Sequence, residues 1–264
     1  MNIKPFNTGD VRKRSLNVLI YGHAGSGKTH ALGDFKDLFG KGLVISGEAG
    51  LETIMPKNID AVEFYSVMKP VDKNKYPNGY SFKEILDWIQ TPQFREIGYN
   101  WIAVDSLTEL SRRAFAEARE AVKDNRQVYT QYDAILDPIV NDLRDLPIHT
   151  ILVALAAVRE ADGQTVYWPM LNQRSKEQQY CGTADLVGCI TVAPVTAKNS
   201  QGKEITQLQR FTIFDKVQGW QGKRRDPKNR IASIENDGNV AEKVKRILMT
   251  DEEYEKYKTQ GATQ

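Results

Sequence analysis

Only two cysteines, Cys181 and Cys189, occur in this chain. One pair excludes a disulfide framework, and its spacing does not suit a zinc site. They read as reduced, partly buried thiols of a cytosolic protein. Net charge is scarce as well: 36 Lys and Arg stand against 34 Asp and Glu, a formal balance of +2. That balance excludes a global field for nucleic acid, so any such surface has to be a local patch. No apolar run is long enough to span a bilayer, and the longest, Ile151 to Val158, reads as a buried parallel strand. Met1 to Arg14 is polar and basic and lacks the apolar segment of a secretory signal. The expectation is a cytoplasmic protein that does not engage membranes. Repeats and low-complexity segments are missing too. What is present, 264 residues with 41% hydrophobic and 27% charged side chains, suits one large α/β domain, or a domain with a small appendage.

Against these absences one motif stands out. Gly22-His23-Ala24-Gly25-Ser26-Gly27-Lys28-Thr29 fits the phosphate-binding pattern G-x-x-x-x-G-K-[ST]. A strand-like run, Leu16 to Tyr21, leads into it. A helical stripe of Ala31, Leu32, Phe35, Leu38 and Phe39 follows, with Gly40 as its stop. Glycines let the backbone curl and aim N–H groups at phosphate oxygens, and the helix adds its positive end. Gly22 to His30 are the expected nucleotide contacts. Lys28 is expected on the β- and γ-phosphates and the Thr29 hydroxyl on Mg²⁺. The expected ligands are ATP and Mg²⁺.

Strands and helices alternate beyond the loop. Gly42 to Ser46, Ala61 to Val67, Trp101 to Val104 and His149 to Val158 read as further strands. Helical spacing covers Ser81 to Gln90, Leu107 to Val122 and Tyr132 to Leu146, with Pro138 either kinking the last or opening a new helix after Asp137. The pattern predicts an α/β fold: a mostly parallel central sheet with helices on both faces. Leu186 to Thr196 and Leu208 to Val217, joined by the turn-rich Lys198 to Gly202, predict an antiparallel strand pair late in the chain. A core over 1–235 and a helical tail over 236–264 are expected, with Thr250 and Glu253 as a capping box in the tail.

A phosphate loop hydrolyses nothing alone. Asp105 ends an apolar strand, where a carboxylate would hold Mg²⁺ through water, although an Asp at that point also caps helices. Glu48, just past the second strand, could orient the attacking water or be a solvent-facing turn residue.

The order of these features resembles the RecA-type recombinase core. There the phosphate loop is followed by a strand ending in the catalytic Glu, and later by a strand running into Asp-Ser. Leu43 to Gly50 and Ile102 to Leu110 match those segments. In that family strands two and four lie side by side, so the resemblance implies that Glu48 and Asp105 flank the same phosphates. The phrase Val104 to Leu110 and the compact length resemble phage-encoded, core-only relatives, which act as ATP-dependent single-strand annealing or recombination proteins. The resemblance implies a RecA-like P-loop ATPase in the bacterial host cytoplasm, stimulated by single-stranded DNA and self-associating into a ring or filament. It further implies a cationic finger reaching a neighbouring subunit's phosphate. Lys223 and Arg225 are its candidates, the alternatives being a solvated turn or a DNA-phosphate contact. Two loops of such proteins face single strands. Here they hold Lys123, Arg126 and Tyr129, then Arg159, Tyr167, Trp168, Arg174 and Lys176: cations for phosphates and aromatics for bases. Tyr167 and Trp168 read equally as core residues of a short strand. One departure is clear. The fifth strand of the family ends in a polar residue, usually Gln, where this chain has Ala157, with Arg159 as the candidate substitute.

Three other readings compete. One is an AAA-type phage motor or loader, for which Arg246 would be the lid arginine. The others are a small-molecule kinase with Lys223 to Arg230 as its lid, and a non-hydrolysing ATP switch. A GTPase lacks its Asn-Lys-x-Asp motif.

Overall fold

The computed structural model describes residues 15–48, 50–198 and 203–261. Met1 to Arg14, Ala49 and the Asn199 to Gly202 turn, all invoked above, lie outside the described residues. Strand β1 (Asn17–Gly22) runs into helix α1 (Lys28–Phe39), followed by β2 (Gly42–Ser46), β3 (Asp60–Ser66), β4 (Gly79–Ser81), α2 (Phe82–Ile89) and α3 (Pro92–Ile97). Then come β5 (Trp101–Asp105), α4 (Leu107–Ala121), α5 (Val128–Arg144), β6 (His149–Ala161), β7 (Gln164–Pro169) and α6 (Arg174–Thr183). The long strands β8 (Leu186–Lys198) and β9 (Glu204–Ile213) form the expected antiparallel pair. The short β10 (Lys216–Val217), β11 (Trp220–Gln221), β12 (Lys223–Arg224) and β13 (Ile234–Glu235) precede α7 (Val240–Leu248) and α8 (Asp251–Gly261).

The sheet order is β4-β3-β2-β5-β6-β1-β8-β9-β13. From β4 through β1 to β8 every neighbour is parallel. Continuous β-branched and aliphatic runs explain this, because both faces of these strands are covered. On one face Leu19, Ile45, Ile102 and Val104 meet α2, α4 and α5. On the other Val18, Ile20, Val44 and Ala103 meet α1 and α7.

Several expectations need correction. The segment after Val158 is not a loop: β6 continues to Ala161 and folds back as β7 through a turn in which Asp162 and Gly163 take positive φ. Helix α5 starts four residues before Tyr132 and passes through Pro138 without interruption. The tail is not an appendage. Val240, Ala241 and Val244 of α7 are fully buried in the cluster that contains Phe35 and Ile20, so residues beyond 235 complete the core. The capping box is present: Thr250 N–H donates to Glu253 Oε2 and Glu253 N–H to Thr250 Oγ1. Both cysteines are free and buried, and burial pushes the Cys181 thiol up to about 12. Among the described residues no helix is long and apolar enough to cross a membrane.

Candidate functional site

Parallel strands aligned in register present their carboxyl ends together. Ser46 of β2 pairs with Asp105 of β5, and Gly22 of β1 pairs with Leu155 of β6. The turn after β1 therefore opens on the same edge as Glu48 and Asp105, where open α/β sheets bind ligands. In that turn Gly25 and Gly27 adopt φ of 73° and 96°, values that any side chain with a Cβ resists. Gly27 caps α1 without a side-chain hydrogen bond, so the first N–H groups of a 12-residue helix stay available to an anion. Lys28 folds back over the loop, its Nζ donating to the carbonyls of Gly22 (3.1 Å) and His23 (2.8 Å). Burial lowers its pKa, while the Asp105 and Glu48 carboxylates act to raise it. His30 lies exposed on the first turn of α1, and Ser26 is buried with its hydroxyl unpartnered.

The two carboxylates have different partners. Thr29 Oγ1 donates to Asp105 Oδ2 at 2.8 Å. Asp105 is buried, which raises its pKa; Thr29 and Lys28 work against that rise, and Glu48 adds to it. The helix-capping alternative falls to its neighbour: Ser106 Oγ accepts from Glu109 N–H at 3.1 Å and is the N-cap of α4. Asp105 is thus left facing the loop. Ser106 also donates to Glu48 Oε1, and Ser46 Oγ donates to the Glu48 carbonyl at 2.8 Å. Arg113 of α4 clamps the turn that carries Glu48, donating to the carbonyls of Gly47 (3.0 Å) and Phe64 (2.6 Å) while paired to Glu109. Glu48 is exposed on the bend after β2, so it faces solvent as a turn residue would while its carboxylate accepts from Ser106. Hard oxygen donors beside an uncapped helix end suit Mg²⁺ together with a polyphosphate.

Residues 14–226 match the family described as AAA domain. The chain belongs to that family. It is an AAA-type P-loop ATPase, and its α/β architecture agrees. Among solved structures it is similar to an ATPase from the type III secretion system of pathogenic bacteria, with 15% identity over 91% of this chain and a TM-score of 0.44. It is also similar to the P4 protein from bacteriophage phi6 in complex with ADP, with 14% identity over 74% of this chain and a TM-score of 0.34. The chain spans 60% and 58% of the lengths of those two proteins. No curated protein matches it.

Elsewhere in this AAA domain some expected residues are diverted. Lys176 is buried, with Nζ 2.6 Å from Asp137 and 3.3 Å from Asp133, and so ties α6 to α5 instead of facing solvent. Tyr167 stacks on Trp220 with ring centroids 4.4 Å apart, and both rings meet the edge of His23 in the phosphate loop. Trp168 packs against the core beside it. The two aromatics are therefore not a free platform for bases, because β7 is a real strand lying under the loop. Lys223 donates to the carbonyls of Cys181, Gly182 and Ala184, satisfying the end of α6, and Arg225 pairs with Asp185 at 2.9 Å. Both sit beside the start of β8 and β1, at the end of the sheet away from the phosphate loop. Ala157 is buried and offers no polar group, while Arg159 is paired to the buried Glu177 at 2.6 Å.

Other expected residues converge. Arg159, Arg174 and Tyr129 line one cleft of about 510 Å³ with Leu171, Asn172 and Gln173. Lys123 and Arg126 are exposed on the segment just before α5, which carries Tyr129. Sequence reasoning missed Arg113 and Arg210. Arg113 lies on α4, of which only the apolar spacing is read from the sequence. Arg210 reaches Gly27 from β9, a neighbour that only the sheet order reveals.

Proposed function

We propose that this ATPase is RecA-like, acts on single-stranded DNA and promotes annealing or homologous recombination. ATP would lie on the Gly22–Thr29 loop with Lys28 on its terminal phosphates. Thr29 and Asp105 would hold Mg²⁺, which supplies charge neutralisation on the phosphate oxygens when bound. Glu48, held by Ser106 and by the Arg113-clamped turn, would accept a proton from the attacking water and aim it at the γ-phosphorus.

The observation that carries the DNA reading is the cleft of Tyr129, Arg159 and Arg174. It combines an exposed cation for phosphates, Arg174, with the exposed Tyr129 ring for bases, as sequence-tolerant single-strand binding requires, while Arg159 is shared with Glu177. Strand β6 links it to the nucleotide. Leu155 is level with Gly22 and Arg159 lies four residues on, about 13 Å along an extended strand. The test is ATP turnover and binding of a labelled oligothymidine, each with and without the other ligand. DNA should raise the turnover rate. Tyr129→Ala should weaken DNA binding about tenfold, as loss of one base stack does. Arg174→Ala should reduce the salt slope of binding by about 0.7, the value for one phosphate contact. Absence of both DNA binding and stimulation rejects this reading and leaves the AAA-type motor or loader, which family membership equally supports.

Self-association into a ring or filament belongs to the same proposal. Lys223 is committed to the end of α6, whereas the Arg225 side chain is 60% exposed. From the far end of the sheet Arg225 would meet another subunit's loop only in a head-to-tail contact, which builds rings or filaments and not two-fold dimers. Turnover per subunit should then fall on dilution to the monomer. A constant value there rules out a finger acting between subunits.

A further inference from the structure

Among the described residues the Arg210 side chain has no hydrogen-bond or ion-pair partner. Its guanidinium lies against the last glycine of the phosphate loop: a Cβ on Gly27 would stand 2.6 Å from Arg210 Cζ and Nη2. Its stem crosses Gly238, where a Cβ would collide with Cδ. Two residues without side chains thus form a slot that the arginine occupies. Yet its Nε is buried without a partner. The acidic groups nearby make no ion pair with it. Asp237 accepts from Lys243 at 2.6 Å and from Asn239 N–H at 2.8 Å. Asp34, half-buried on α1, feels the charges of His30, Lys57 and Arg210 but makes no ion pair with Arg210. A buried guanidinium donor with no acceptor is costly unless a ligand supplies one.

We propose that Arg210 binds the phosphate chain of the nucleotide in cis, as a second cation opposite Lys28. The inference rests on the phosphate-loop reading above and assigns it one more ligand residue. Lys28 approaches as a point charge from the loop itself, whereas Arg210 presents a planar fork from β9, two strands from β1, suited to two phosphate oxygens at once. Because β9 pairs with β8, and β8 with β1, nucleotide binding would also tie the β8–β9 pair to the loop.

Competition binding with ATP, ADP and inorganic triphosphate tests this, using Arg210→Gln, Gly238→Ala and Lys28→Ala. In Arg210→Gln all three ligands should bind about tenfold more weakly or worse, as loss of a charge-assisted pair implies. KM should rise more than kcat falls, and the thermal midpoint without ligand should stay unchanged. Gly238→Ala leaves the arginine in the chain but fills its slot. It should give a similar loss, and the double variant should lose no more than either single one. Triphosphate affinity unchanged in both single variants, while Lys28→Ala is impaired, overturns the proposal. Full affinity in Lys28→Ala sinks the underlying phosphate-loop reading instead.

Discussion

Glu48→Gln should bind ATP as tightly as the native protein and hydrolyse it about 10²- to 10⁴-fold more slowly, the range for losing a positioned general base. The substitution keeps the side chain's shape and still accepts a hydrogen bond from Ser106, but it can take no proton from water. Its site also explains why affinity should survive. Glu48 stands at the end of β2, beyond the loop that grips the phosphates, and the effect of burial on the neighbouring Asp105 is only partly countered by Thr29 and Lys28. Removing the Glu48 charge relieves Asp105 of one repulsion and therefore does not weaken the Thr29–Asp105 pair. Single-turnover hydrolysis of pre-bound ATP, measured beside equilibrium binding, separates the two quantities. A native turnover rate in this variant would remove Glu48 from the mechanism and favour an activating group elsewhere on that edge.

Lys28→Ala should lose nucleotide affinity by about 10²- to 10⁴-fold. Two charge-assisted hydrogen bonds to phosphate, each worth about 1.5–3 kcal/mol, set that scale. In the structure the ammonium rests on the Gly22 and His23 carbonyls, so moving to phosphate exchanges neutral acceptors for charged ones. Burial already lowers its pKa. A polyphosphate would restore the charged form, and the affinity of the native protein should rise where that protonation is complete. Calorimetric titration at several pH values measures both effects. Equal binding by the variant would show that the loop is only a turn between β1 and α1.

The site was legible where chemistry is local in the chain. The phosphate loop is contiguous, and Glu48 and Asp105 each follow an apolar run whose end marks the sheet edge. Parallel pairing then brings them together without further information, since Ser46 and Asp105 are register partners. Legibility failed where partners come from distant strands. Nothing near Lys176 announces Asp133 and Asp137 on α5, so a buried ion pair read as a DNA contact. Tyr167 meets Trp220 across more than fifty residues of sequence, and Arg210 meets Gly27 through two intervening strand pairings. The short β4 and α3 fell below the length at which hydrophobic periodicity is visible.

Strand β6 belongs to two sheets. From Thr150 to Leu155 it is hydrogen-bonded to β1, and from Trp101's partner His149 to Val153 it is hydrogen-bonded to β5. From Ala156 to Ala161 its described ladder is with β7 alone. Mechanically it is a cantilever, clamped at the root beside the loop and carried at the tip by one thin ribbon. At the tip, Arg159 adds a second anchor through its ion pair with the buried Glu177 of α6. Evolution can therefore lengthen or reshape the Asp162–Gly163 turn, and with it the tip's reach, while the hydrolytic geometry at the root stays as it is.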